Sequence, residues 1–315
     1  MKLLVTRPMT AQAMEEISAG FEAVFHQGDP LTEAEARQAM ADYDAIMPTL
    51  GDQFSAGAFQ DGSRCRMLAN FGAGFNHIDI EAARAAGVAV TNTPDVVTDA
   101  TADIALTLIL MVARRATEGE RMLRAGEWTG WKPTQMLGTH VTGAVVGIIG
   151  MGRIGKAIAR RCHFGFGMEV VFHNRSTVTD LDFPARQMPG LAETLAAADF
   201  AVIAVPGGAG TRHLIGAAEL DALGPDGILV NIARGDVVDE AALIEALAAG
   251  RIKAAGLDVY EREPEVPQAL IGLPNATLLP HLGTATEQVR TEMALRALGN
   301  LIAFRDGQEL PDRVA

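Results

Sequence analysis

Residues 145–176, VVGIIGMGRIGKAIARRCHFGFGMEVVFHNRS, decide how the chain is read. An apolar strand runs into a glycine turn, a helix follows, and a second apolar strand ends in a polar and basic tip. The turn carries Gly150, Gly152 and Gly155 in the spacing G-x-G-x-x-G. In a strand–turn–helix the first glycine permits the tight turn. The second lets the backbone approach a pyrophosphate, and the third lets helix and strand pack closely. The diphosphate then rests on unpaired N–H groups where the helix dipole favours negative charge. These residues predict a dinucleotide site built on Gly150, Met151, Gly152, Arg153, Ile154 and Gly155.

The tip of the second strand bears on which dinucleotide. Sites for NAD usually place Asp or Glu roughly 20 residues past the glycine turn, on the ribose 2′-OH. Here the tip reads His173-Asn174-Arg175-Ser176 and holds no acid. Arg175 and Ser176 suit a 2′-phosphate, and Asn174 avoids the repulsion of an Asp. NADP is the expected cofactor, with NAD as the alternative.

Composition sets the bounds. A chain of 315 residues suits two domains, and 49% apolar residues supply their cores. Lys and Arg number 26 against 39 Asp and Glu, a net charge of −13 that argues against nucleic acid and anionic membrane as partners. An anionic substrate therefore needs a local cation. Cys65 and Cys162 form no C-x-x-C pair, and reduced thiols in a cytoplasmic protein are expected. The run Ile104–Ala113 is about half a membrane span, so it reads as a buried helix. The N-terminal KLLVT reads as a strand and not as a signal peptide.

Along the chain, strands alternate with helices. Thr32 and Glu35 form a capping box, and Asp79 and Gly87 bracket a short helix. A glycine loop, Gly72-Ala73-Gly74, lies at a strand end, where open α/β sheets bind ligands. Residues 99–115 form a long apolar helix capped at Asp99 or Thr101. The irregular stretch 126–143 holds Trp128 and Trp131, which suggests a subunit interface and a homodimer. Later strands are Phe200–Val205, Ile228–Ala233, Ala254–Val259 and Ala276–Leu279. A helix over 240–249 is capped by Asp239 and closed by Gly250, and a last helix fills the chain from Glu287. The expected fold is α/β, with two doubly wound parallel sheets. A Rossmann-type dinucleotide domain (99–285, with a dimerisation helix and arm over 99–140) is inserted into a smaller flavodoxin-like substrate domain (1–98 and 286–315).

The segments GIIGMGRIGKAIARR (147–161), NIARGDVVDEAALIEAL (231–247), AAGLDVYEREPE (254–265) and LPHLGTATEQVR (279–290), in this order, resemble the D-isomer-specific 2-hydroxyacid dehydrogenases. NTPDVVTDATADIAL (92–106) and the W-x-x-W-K-P segment (128–133) are similar to the glyoxylate/hydroxypyruvate reductases of that family. The resemblance implies reduction of a small 2-oxo acid, and the residue types suit that chemistry. Arg234 offers a planar fork for the carboxylate. His281 is a proton donor of a type whose ordinary pKa lies near neutrality. Glu263 would pair with the other imidazole nitrogen, and formate dehydrogenases, which pair their His with Gln, are thereby disfavoured. Ala73 and Gly74 would donate backbone N–H groups to the substrate, with Thr284 beside it where related reductases often carry Ser. For the cofactor the resemblance implies Thr101, Val205, Pro206, Thr211, Ile232, Ala233, Asp258 and Gly283, besides Arg234 and His281.

Residues 206–211 (PGGAGT) depart from the family's usual turn and predict a looser loop. The remaining histidines match no metal spacing, so no metal is expected. Two other readings are a broad-specificity D-2-hydroxyacid dehydrogenase or 2-ketoacid reductase using NAD(H), and a dinucleotide-sensing binding protein.

Overall fold

The computed structural model describes every residue except Asp61. The chain divides into two compact units, Met1–Val97 with Thr284–Ala315, and Thr98–Gly283. The sequence places these breaks at 98/99 and 285/286.

The first unit is a five-stranded parallel sheet in the order β2-β1-β3-β4-β5. Its strands are β1 (Lys2–Val5), β2 (Glu22–Phe25), β3 (Ala45–Met47), β4 (Met67–Ala69) and β5 (Ala89–Thr91). Helices α1 (Ala11–Gly20), α2 (Glu33–Asp42) and α3 (Ile80–Ala85) connect them. Local chemistry sets the helix starts. Thr32 and Glu35 bond reciprocally at the head of α2, and Asp79 accepts from the Ala82 N–H at the head of α3. The centre of the sheet (Leu3, Ile46, Met67, Leu68, Val90) is buried without remainder, as a parallel sheet covered on both faces requires.

The last helix, Glu287–Arg305, belongs to this unit and starts on Thr286, which accepts from the Val289 N–H. It does not fill the rest of the chain. Gly307 takes a left-handed φ of +66°, and the tail then runs back so that Val314 N–H donates to the Val90 carbonyl at 2.8 Å. A buried carboxylate pins this tail. Asp312 receives Arg296 Nη2 at 2.7 Å, Arg296 Nε at 2.9 Å and Asn300 Nδ2 at 2.8 Å. The Arg296 hydrogen bond, foremost, holds the Asp312 carboxyl below its ordinary pKa. Asp312→Ala should destabilise the protein by about 1–2 kcal/mol, the lower part of the range for hydrogen bonds to charged groups. Arg296 keeps 35% of its side chain in water, which places the effect there. Because the folded pKa is depressed, the contribution is complete above the ordinary carboxyl pKa and disappears as pH falls through the folded value. Urea melts at pH 7 and pH 3 should therefore show a wild-type advantage at pH 7 that shrinks at pH 3.

The second unit carries a seven-stranded parallel sheet in the order β12-β11-β10-β9-β6-β7-β8. Its strands are β6 (Val145–Ile149), β7 (Glu169–His173), β8 (Arg186–Gln187), β9 (Phe200–Ile203), β10 (Ile228–Asn231), β11 (Ala254–Leu257) and β12 (Ala276–Leu278). Counted from β6 this is the Rossmann order 3-2-1-4-5-6 with one strand added. Helices α4 (Thr98–Ala113), α5 (Ala116–Arg124), α6 (Arg153–Phe166), α7 (Leu191–Ala196), α8 (Ala217–Leu223), α9 (Glu240–Ala248) and α10 (Gln268–Ile271) complete the unit, and Glu287–Arg305 is α11. The sheet separates two cores by simple alternation. Phe200, Val202, Ile228 and Val230 face one core with α4 and α6. Ala201, Ile203 and Leu229 face the other, with α8 and α9.

Several local expectations are corrected. α4 begins at Thr98, so neither Asp99 nor Thr101 caps it. Asp99 and Asp103 instead bind Arg161 of α6 at 2.9 and 2.8 Å, and Thr101 is buried. α4 stops at Ala113, and Arg115 turns the chain with φ +53° into the separate helix α5. The strands β9 to β12 end one or two residues earlier than the apolar runs do. Among the described residues no helix is long and apolar enough to cross a membrane.

Candidate active site

The glycine turn joins β6 to α6. Gly150 has φ +100°, and a Cβ there would lie 2.8 Å from the Ala204 carbonyl oxygen. A Cβ on Gly155 would lie 2.1 Å from the Gly150 carbonyl oxygen, so only glycine lets α6 approach the turn. Gly152 differs from both. It precedes α6 without a side-chain cap, and a Cβ there would meet nothing within 4 Å. The start of α6, where the first N–H groups of a helix lack helical acceptors, follows directly on Gly152. The open Cβ position at Gly152 and the bare helix start suit a diphosphate. Met151 is buried, and its N–H donates to Asn174 Oδ1 at 3.2 Å.

Three further loops reach the same carboxyl edge of the sheet. After β7, Arg175 and Ser176 are exposed. After β9 come Val205 and Pro206, in a turn where Thr211 Oγ1 donates to the Pro206 carbonyl at 2.7 Å. After β10, Ile232 and Ala233 are buried. Asn231 accepts the Ala233 N–H at 3.0 Å and donates to the Arg234 carbonyl at 2.9 Å. This buried Asn fixes the backbone of Arg234, and its polar side chain at the end of an apolar strand was a signal open to the sequence.

Arg234, Glu263 and His281 follow the neighbouring strands β10, β11 and β12. His281 Nδ1 lies 2.7 Å from Glu263 Oε2, and Glu263 Oε1 accepts the Tyr260 N–H at 3.0 Å. Burial pushes the Glu263 carboxyl up. The His281 hydrogen bond and charge, the Tyr260 N–H and the Arg234 guanidinium outweigh it and leave the group below its ordinary value. Burial lowers the pKa of the Arg234 guanidinium, against the opposing pull of Glu263 and Asp236.

Asp258 holds the His281 turn by its backbone. Its carbonyl accepts the His281 N–H at 2.9 Å, and its carboxylate accepts from Leu282 N–H at 2.7 Å and Gly283 N–H at 2.8 Å. These bonds secure His281 in a left-handed conformation, φ +54°. Burial raises the Asp258 carboxyl above its ordinary pKa. Gly283 is packed so that a Cβ would lie 3.4 Å from Asp258 Oδ2 and 3.6 Å from Thr101 Oγ1. Tyr260, absent from the sequence expectations, braces the pair: its hydroxyl donates to the Leu279 carbonyl at 2.8 Å. Gly235 lies against it, and a Cβ there would fall 1.8 Å from the Tyr260 carbonyl carbon.

The expected substrate residues Ala73, Gly74 and Thr284 belong to the other unit. There the glycine loop has its carbonyls engaged. Asn70 Nδ2 donates to those of Gly72 and Gly74 at 2.9 and 3.0 Å, and Asn92 Nδ2 to that of Ala73 at 2.7 Å. The N–H groups of Ala73 and Gly74 make no hydrogen bond among the described residues, so the loop presents donors only. Thr284 sits before α11, its carbonyl accepting Arg290 Nε at 3.1 Å. No group of His, Cys, Asp and Glu suited to a metal ion occurs among the described residues.

A Rossmann-ordered sheet with a glycine cradle, and with Arg, Glu and His gathered at its carboxyl edge, defines a dinucleotide-dependent oxidoreductase fold. The chain belongs to the D-isomer specific 2-hydroxyacid dehydrogenases, whose NAD binding domain model matches residues 106–283. It is similar over its length to curated glyoxylate reductases. That of Thermococcus gammatolerans is 40% identical over 319 aligned positions, covering 99% of this chain and 95% of the relative. That of Thermococcus onnurineus is 41% identical over 320, with the same coverage. Among solved structures, the NADPH-dependent glyoxylate/hydroxypyruvate reductase of Sinorhizobium meliloti, in complex with NADP and malonate, is 37% identical. It superposes with a TM-score of 0.89, covering 100% of this chain and 96% of that one.

Proposed function

We propose that this chain reduces small 2-oxo acids, glyoxylate to glycolate and hydroxypyruvate to D-glycerate, with NADPH preferred. The observation that carries the reading is the 2.7 Å pairing of His281 Nδ1 with Glu263 in the field of Arg234. The names of the Thermococcus and Sinorhizobium relatives support it.

Arg234 binds the substrate carboxylate through its guanidinium fork and polarises the carbonyl. In the first unit, the N–H groups of Ala73 and Gly74 and the Thr284 hydroxyl are the groups proposed for substrate. Glu263 engages Nδ1 as a carboxylate, so Nε2 of His281 faces the carbonyl oxygen and delivers the proton that makes it a hydroxyl. The residues from Gly150 to Gly155 hold the diphosphate, Thr101, Asp258 and Gly283 face the nicotinamide side, and Val205, Pro206 and Thr211 face the adenosine side. When bound, the dinucleotide supplies the hydride to the carbonyl carbon. Arg175 and Ser176 take the 2′-phosphate, and Asn174 places no charge against it. Trp128 and Trp131, 51% and 79% exposed, are read as part of a homodimer interface. A cytoplasmic setting fits the two buried, unpaired cysteines.

One grid tests the reading: glyoxylate, hydroxypyruvate and larger 2-oxo acids, each with NADH and NADPH, followed at 340 nm. The expected result is turnover of the two small acids, with kcat/KM about tenfold or more higher for NADPH, the scale of one well-placed charged contact. Equal or better use of NADH would favour the NAD(H) 2-ketoacid reductase, a reading supported by the NAD-binding character of the matched domain. Absence of turnover across the grid would favour a dinucleotide sensor.

A further inference from the structure

Residues 174–178 leave β7 as a loop, yet a single side chain engages three of its backbone groups. Gln187, on the two-residue strand β8, donates from Nε2 to the Asn174 carbonyl at 3.2 Å and to the Ser176 carbonyl at 3.0 Å. Its Oε1 accepts the Val178 N–H at 3.1 Å. Both amide N–H donors and the carbonyl oxygen are thus committed to one loop. Asn174 ties the loop forward, from Nδ2 to the Ser176 carbonyl at 3.0 Å and to Ser176 Oγ at 3.1 Å. Its Oδ1 accepts the Met151 N–H of the glycine turn at 3.2 Å.

The loop therefore has its shape before any ligand arrives. Charge is arranged to match. Asp180 and Asp182, the carboxylates that follow, are each paired with a cation of α6, Asp180 with Lys156 at 2.8 Å and Asp182 with Arg160. Arg175, in the middle of the loop, is exposed and has no ion pair among the described residues. A fixed loop with an uncompensated guanidinium beside a hydroxyl is a preorganised receptor for a phosphate monoester.

We propose that Gln187 is the positioning residue for recognition of the 2′-phosphate: it holds Asn174, Ser176 and Val178 so that Arg175 and Ser176 meet the phosphate without ordering the loop. This rests on the reading that Arg175 and Ser176 take that phosphate. It assigns a specificity role to a residue with no contact to the ligand, on a strand away from the glycine turn. Truncating Gln187 frees the loop, and the penalty falls on the ligand that needs Arg175 and Ser176. A ligand held by the glycine turn alone is spared.

The experiment compares adenosine 2′,5′-bisphosphate with 5′-AMP, by calorimetric titration of the full chain as wild type, Gln187→Leu and Gln187→Ala. The wild type should bind the bisphosphate about tenfold or more tighter. Both variants should weaken the bisphosphate by about tenfold and 5′-AMP by less than about twofold, so the ratio collapses. Equal weakening of both ligands means a merely structural role and overturns the proposal, as does unchanged binding of the bisphosphate. A wild type that does not prefer the bisphosphate overturns the NADPH reading and this inference with it, whatever the variants do. One measurement needs no variant: the Val178 amide of the free wild type should be protected from hydrogen exchange, and rapid exchange there overturns the brace.

Discussion

His281→Ala is expected to lower kcat/KM for glyoxylate by about a thousandfold, within the usual range for loss of a general acid, while dinucleotide binding changes little. In the proposed mechanism the proton for the new hydroxyl comes from His281. The imidazole is fixed at Nδ1 by Glu263 and at its backbone by Asp258, which leaves Nε2 to act. Glu263 is itself anchored by the Tyr260 N–H, so the pair is oriented before substrate binds. Removing the ring abolishes the donor without touching the glycine cradle, which lies at β6 and α6. Steady-state kinetics beside a titration of NADPH check both halves. A variant that retains wild-type kcat/KM would remove His281 from the mechanism.

Arg234→Ala is expected to cause a loss of similar size, about a thousandfold in kcat/KM, and to raise KM for the 2-oxo acid. Loss of one partner from a buried, hydrogen-bonded charge pair costs about 2–5 kcal/mol. The chain as a whole carries a net charge of −13, so an anionic substrate depends on this local cation. Arg234→Lys should recover only part of the loss, since a point charge cannot grip a carboxylate in two places. Neither variant should lower the melting temperature much, because the guanidinium bonds only the adjacent Ala233 carbonyl, at 2.6 Å, while Asn231 and Gly235 packed on Tyr260 still hold the backbone at 234. Kinetics with glyoxylate and a thermal melt together check this. An Arg234→Ala protein with unchanged KM would place the carboxylate elsewhere.

The main lines of the fold were legible because its strands are buried on both faces. Continuous apolar runs such as Phe200–Ile203 mark central parallel strands, and the glycine turn marks the first of them. β2 and β8 were not legible for the opposite reason. Glu22 and Val24 are exposed on an edge, and Arg186-Gln187 is two residues long with no apolar signal. α5 escaped notice because none of its residues is buried. The helix start at Thr98 is hidden in the sequence because Asp99 has the chemistry of a cap but is committed to Arg161, a partner 62 residues away that no local pattern reveals.

The candidate site divides along the same line. Arg234, Glu263 and His281 stand just past apolar runs, so their place at the strand ends follows from the sequence. Of the residues that support them, Asn231 is marked by its place at the end of an apolar strand, whereas Tyr260 and Gln187 are not marked at all. Tyr260 acts through its hydroxyl and its N–H on two different loops, and Gln187 through three bonds to a loop nine to thirteen positions away. Such roles depend on which strands become neighbours, and that is decided by the whole sheet.

The glycines of this molecule carry two kinds of information about descent. Gly155 and Gly235 are demanded by the chain's own backbone, at 2.1 and 1.8 Å from any Cβ, so a relative that had abandoned its ligand would still keep them. Gly152 opens on empty space and is demanded by nothing inside the protein. On the proposed reading, what it spares is room for the diphosphate. In a degenerate copy that had drifted into a purely architectural role, position 152 is where the first side chain would accumulate.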